Sequence, residues 1–250
     1  SKHSFLMEED VNITDISVFD EFTQNEYSLK KIKKLGKKNI FNSKNSHIES
    51  SKSKIVIDSD QYIYEDKIYN NEVEIKPGVK FFIDDQKSLI FKNKVNIKGT
   101  LKNPIIFTNL NKDKFFGTVA LIGKNTKYSK LKNILIENGS GSINLEGITF
   151  ISMLSIHDTK HINLENIKLK NNYKYDDLIH IIYSQNINLK NINVSYALSD
   201  AIDIDISNVN INGLTVNNAK NDCLDLMMSK VNMQNSKLVN CGDKGISVGE

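Results

Sequence analysis

Residues 200–235 read DAIDIDISNVNINGLTVNNAKNDCLDLMMSKVNMQN, and they hold one pattern written twice. An acidic alternating piece (DAIDIDI, 200–206; DCLDLMM, 222–228) is followed by an asparagine-bearing piece (VNINGLTVNNA, 209–219; VNMQNSKLVNC, 231–241). Equivalent positions lie 22 residues apart. Further out, DLIHIIY begins at Asp177, KGISVGE at Lys244, INLKNINVSYA at Ile187 and INLENIKLKNN at Ile162. Apolar–polar alternation is the period of a half-buried strand, and no stretch has helical spacing long enough for a crossover helix. A unit of this length with short strands and no helix suits one coil of a parallel β-helix, while the LxxLxL pattern of leucine-rich repeats is absent. The expected fold is therefore all-β: a single-stranded right-handed parallel β-helix with about 22 residues per coil.

Asparagine keeps time with the repeat. Asn166, Asn191 and Asn235 hold one place, with Gly213 standing in between, and Asn171, Asn218 and Asn240 come five residues later. Stacked amides can bond from coil to coil and tolerate the left-handed backbone of tight turns. Upstream, residues 75–109 and the stretch from Gly117 read as shorter, less regular strands with turn residues between them. The β-helix is expected over residues 55–250, and residues 1–54 as a polar linker or cap. Within that segment EDVNITDISVFDEFTQ suits a short amphipathic helix or capping strand, and KKIKKLGKK a solvated linker, with binding to an anionic surface as the alternative. Solenoid ends need caps; Glu250 falls inside a strand pattern, so further coils are expected beyond it.

Composition narrows the function classes. Of 250 residues, 33 are basic and 30 acidic, a formal charge of +3 with no aromatic-interleaved basic stripe, which argues against nucleic acid as a partner. No apolar run reaches the roughly 18 residues of a transmembrane span. Cys223 and Cys241 are too few for a disulfide framework. Their separation of 18 does not match the repeat, so two unlinked thiols, buried or half-buried, are expected.

Alternation also fixes which way the acids point. It buries Ile202, Ile204 and Ile206, then Leu224, Leu226 and Met228, with Ile179, Ile181 and Tyr183 before them and Ile246 and Val248 after. It turns His180, Asp203, Asp225 and Ser247 outward in one column, with Asp205 two residues along from Asp203. Asp177, Asp200, Asp222 and Lys244 form a second column where each strand begins. Crowded carboxylates repel, raise a pKa or recruit a cation. Three readings stay open: a calcium site on Asp203, Asp205 and Asp225; a catalytic patch of Asp203 and Asp225 with Asp200, Asp222, Lys244 and His180 in support; and a solvated acidic face. A shallow groove along stacked strands suits an extended polymer.

The order of an Asp-Asp pair, DAIDID, NDCLD and the terminal GDKGISVGE resembles the right-handed parallel β-helix proteins associated with CotH-type domains in bacteria, over about residues 60–250. The resemblance implies a secreted or cell-surface protein. The wider fold houses pectate lyases, polygalacturonases and epimerases, so it implies a polysaccharide partner; the alternative from the residues themselves is a non-catalytic structural or adhesion solenoid whose acidic face binds calcium or is merely solvated. This chain has neither the GHG nor the RIK motif of polygalacturonases, and no arginine near the patch to match the pectate-lyase base.

Overall fold

In the short asparagine segments, apolar residues fall at Ile187 and Leu189, then slip one position to Ile192 and Val194. The slip is structural. In the computed structural model, which describes residues 17–20, 25–28, 53–145 and 147–249, these four side chains all face inward and are buried. Asn191 lies between the two pairs with φ +53°. A left-handed residue turns the chain, and the extra residue restores the inward phase on the far side of the turn.

That device repeats from layer to layer. Asn133, Asn166, Asn191, Gly213 and Asn235 all have positive φ. Asn166 Nδ2 donates to Asn133 Oδ1 (3.0 Å), and Asn191 Nδ2 to Asn166 Oδ1 (3.0 Å). Gly213 replaces the amide where a Cβ would come within 2.9 Å of Asn191 Oδ1. A second corner carries Asn138, Asn171, Asn218 and Asn240 at positive φ, with Tyr196 taking one place. A third amide row, Asn163, Asn188, Asn210 and Asn232, runs flat across the strands at 3.0–3.2 Å.

Among the described residues the strands so arranged form two stacked parallel sheets. One has twelve strands, from Ile55–Ile57 to Lys237–Cys241. The other has eight, Lys67–Tyr69, Leu89–Phe91, Val119–Ile122, Ser152–His157, Asp177–Ile182, Ile202–Asp205, Asp225–Met227 and Ser247–Gly249, and is called the site sheet below. The arrangement is all-β, with no α-helix among the described residues, and it is compatible with a parallel β-helix. Register sets Val209 opposite Ile187 and Val231 opposite Val209. Between the sheets lies one continuous apolar interior, with Phe81 and Phe107 stacked at 4.7 Å between ring centroids.

Residues 1–50 and 51–250 are two separate units. In the first, Ser17–Asp20 and Asn25–Ser28 pair as an antiparallel two-stranded sheet, so this part of EDVNITDISVFDEFTQ is extended rather than helical. KKIKKLGKK lies outside the described residues.

An insertion after Glu137 forms a small antiparallel pair, Ser142–Leu145 with Ile148–Phe150. Phe150 packs with Ile90 and Ala120 on the outer face of the site sheet, and Ile68, Ile122, Leu145 and Ile148 border them. This cover explains why Leu89–Phe91 is buried on both faces rather than alternating.

Three expectations need correction. Tyr183, Ile206 and Met228 are not core residues: they have positive φ just past the strand ends, which swings them out of the alternation, and Tyr183 and Met228 are both 57% exposed. Ile246 and Val248 are exposed, since no described layer covers them. Cys223 and Cys241 are a disulfide with Cα atoms 5.2 Å apart, not two thiols. Cys241 stacks on Ala219, and Cys223 follows Ala219 by four residues round the corner. A separation of 18 is thus one 22-residue layer less that short step, which strand-to-strand stacking alone misses.

Two outcomes test the corners and the bridge. Asn191→Gly keeps the left-handed backbone and loses the amide bond, while Asn191→Ala loses both. Urea unfolding is expected to show losses of about 1 kcal/mol and about 2 kcal/mol respectively, and equal losses would mean the backbone is not strained there. Removing the disulfide in Cys223→Ser/Cys241→Ser is expected to cost about 3 kcal/mol, a fall in Tm of roughly 6–12 °C; an unchanged Tm would refute the bridge.

Candidate functional site

Alternation along the site sheet sends every second side chain outward, and parallel register stacks those positions. Ser155, His180, Asp203, Asp225 and Ser247 therefore form one outward column. His157, Ile182, Asp205 and Met227 form its neighbour. A serine row follows at the next corner: Ser184 N–H donates to Ser207 Oγ (2.9 Å) and Ser207 N–H to Ser229 Oγ (3.0 Å), locking the strand ends that carry the acids.

The column is largely buried at His180 and Asp203, as is Asp205 beside it, and half-exposed at Asp225 and Ser247. His180 is 6% exposed, and the side chains of Asp203 and Asp205 only 16% and 14%. The insertion and the loop after Asn171 flank them. Ser140 Oγ accepts the N–H groups of Lys174 and Tyr175, and Ile151 O accepts that of Asp177, so the two segments are tied together beside the acids. Phe150, at the end of the insertion, stacks on His157 (5.2 Å), which meets His180 edge-on (5.0 Å).

Burial sets the protonation. His180 Nε2 lies 3.4 Å from Asp205 Oδ2 and 3.7 Å from Asp203 Oδ2. Desolvation nonetheless holds the His180 pKa below the ordinary histidine value, against the pull of Asp205. Asp203 is pushed up to about 7, first by burial and then by Asp205 and Asp225. His157 is driven down to about 3, by burial and then by His180. Asp177 is raised to about 10 by burial, with Asp203, Asp176, Asp200 and Asp205 adding to it.

The strand-start column behaves differently. Asp200 Oδ1 accepts Asp222 N–H (2.7 Å) and Asn221 Nδ2 (2.9 Å), and Asp222 Oδ1 accepts Lys244 N–H (2.7 Å). Asp66 Oδ1 does the same for Ser88 N–H, far from the patch. These aspartates cap the next layer. Burial raises the Asp200 pKa despite those bonds. The Lys244 ammonium turns to Asp243, and that bond raises its pKa, so it is a cation and not a free base.

Among the described residues, two groups bring donor atoms within 4.8 Å of one another: His180, Asp203 and Asp205, and separately Asp176, Asp177 and Asp200. Either set could hold a metal ion. Asp225, expected beside Asp203 and Asp205 as a ligand, belongs to neither; its Oδ1 accepts Leu226 N–H within its own strand. His157 and Asp176 were not legible as site residues. His157 ends a strand 35 residues after its partner strand, Ile122 against His157, so the regular beat does not reach it. Asp176 is visible only as half of an Asp-Asp pair.

No protein-family model matches the chain, and no curated protein matches it as a relative. The likeness to the CotH-associated β-helix proteins therefore rests on the quoted residues alone.

A histidine buried neutral loses stability in acid. His157 has a folded pKa of about 3, below its ordinary value of 6.5, so its contribution is complete above pH 6.5 and is lost as the pH falls toward 3. His157→Phe removes this one titration. Its stability is expected to fall less steeply than that of the wild type in this window, by up to about 1.4 kcal/mol per pH unit, measured by urea unfolding. Parallel slopes would show that His157 is not held neutral by the fold.

Proposed function

We propose that the protein binds a polysaccharide along the outer face of the site sheet and acts on it by acid–base chemistry, within a right-handed, single-chain β-helix of about 22 residues per coil. The observation that carries this reading is the register of the column: His180, Asp203, Asp225 and Ser247 on successive layers. Ser155 and His180 are buried, so the accessible track runs over the three layers of Asp203, Asp225 and Ser247, about 10 Å at the spacing of neighbouring strands. Asp203, which keeps its proton to about pH 7, is the general acid. Asp225, one layer on, is the partner carboxylate, and His180 and Asp205 hold Asp203 in place.

A groove of about 480 Å³ beside the strand-start corner supports the same partner. It is lined by Tyr173, Tyr196, Asn171, Asn218 and Lys220, an aromatic and amide surface suited to sugar rings. Tyr173 lies four residues before Asp177, and Lys220 two before Asp222, so the same turns carry groove and acids. The disulfide supports an oxidising, extracytoplasmic setting.

One observation favours a second reading, a non-catalytic adhesion solenoid: Asp200 and Asp222 have an oxygen committed to backbone N–H groups. Screening the full chain against neutral and anionic polysaccharides, with binding and chain cleavage both read, separates the two. Asp203→Asn/Asp225→Asn is expected to cut turnover by about 10²-fold or more while binding persists. Binding without cleavage by the wild type would favour the adhesion solenoid, and no bound polysaccharide would end both readings.

A further inference from the structure

We propose that the corner where Asp176, Asp177 and Asp200 meet binds one hard divalent cation of the calcium class. Their carboxylate oxygens approach within 4.8 Å of one another, across two layers. The decisive observation is Asp177. It is 1% exposed, and its Oδ2 is buried without any hydrogen-bond partner. A buried carboxylate needs donors, and a buried carboxylic acid needs an acceptor for its proton. Asp177 Oδ2 has neither, so changing its protonation state does not satisfy it. A cation does.

The neighbours show why this corner and not the next one. Asp200 and Asp222 occupy the same column and meet their needs with N–H groups of the following layer. At Asp177 the equivalent N–H does not reach back: Asp200 N–H makes no bond to it, and Leu178 N–H goes to Asp200 O. In the His180, Asp203 and Asp205 group both carboxylates face the imidazole Nε2, and the atom left without a partner is a ring nitrogen, Nδ1 of His180, not a carboxylate oxygen. The Asp177 group has only oxygen donors, which select calcium, magnesium or manganese over zinc or copper. Asp200 Oδ1 is already committed, so Oδ2 is its free ligand atom. Asp176 is exposed and opens one side of the corner to water, which completes the shell of six to eight oxygens that calcium takes.

This inference stands on its own geometry and survives if no polysaccharide binds. The test is calorimetric titration of calcium chloride into the chelator-stripped full chain, with Tm followed in parallel. Saturable one-site binding with Kd at or below about 1 mM and a rise in Tm are expected. Asp177→Asn and Asp176→Asn should each weaken binding by about tenfold or more, and His180→Gln should leave it within about threefold. Asp176 is exposed, so its variant folds even if the Asp177 variant does not. The proposal is overturned if calcium, magnesium and manganese all fail to saturate the chain. It is also overturned if Asp176→Asn binds like the wild type, or if His180→Gln rather than the corner variants abolishes binding.

Discussion

The left-handed residue at each corner is the constraint on which the rest of the molecule depends. A strand that ran straight on would carry its apolar alternation into solvent. One residue at positive φ turns the chain and shifts the phase by one, so Ile187, Leu189, Ile192 and Val194 all reach the same interior. The cost of that backbone is met by choosing asparagine or glycine, and by amide bonds that tie each corner to the one before. Once the corners are stacked, backbone ladders fix the register. Every outward side chain then has a defined neighbour one layer away.

This dependence explains what the sequence makes legible. Where layers repeat every 22 or 23 residues, as from Asp177 to Ser247, the column of His180, Asp203 and Asp225 can be read directly. Where the chain inserts material the beat is lost. Leu154 pairs with Val119 across 35 residues, and the small sheet Ser142–Phe150 that covers Ile90 and Ala120 has no counterpart in the repeat. His157 disappears from view for that reason. Tyr183, Ile206 and Met228 mislead differently, since alternation extrapolated one residue too far ignores the left-handed turn that ends each strand. The disulfide was hidden because it joins a strand end to a corner, a diagonal that strand-to-strand spacing does not describe.

The insertion changes the chemistry as well as the pattern. An outward face of a β-solenoid is normally wet, and aspartates there would ionise freely. Here Phe150 stacks on His157, and Ser140 anchors the loop carrying Asp176, so that His157, His180 and Asp177 are each at least nine-tenths buried. Desolvation is accordingly the leading cause of every shift in the cluster, ahead of the mutual repulsion of its acids. The acids alone are legible as a pattern. Their perturbation is not, because it comes from a wall contributed by a different part of the chain.

Amides and carboxylates answer differently to being stacked. An asparagine carries both a donor and an acceptor, so a column of them closes on itself, as at Asn163, Asn188, Asn210 and Asn232. An ionised aspartate only accepts, and a column of aspartates cannot satisfy itself. Each layer must import a donor, a proton or a cation. Asp200 and Asp222 import backbone N–H groups from the next layer, and Asp203 and Asp205 face the imidazole of His180. Asp177 begins the column and has imported no donor, and the proton that burial lets it keep still leaves Oδ2 without a partner. The solution adopted at one layer therefore does not transfer to its neighbour, although the same residue type occupies the same place. In a repeat built of nearly identical layers, the layer with its polar groups unsatisfied is the one where chemistry from outside the chain has a place to enter.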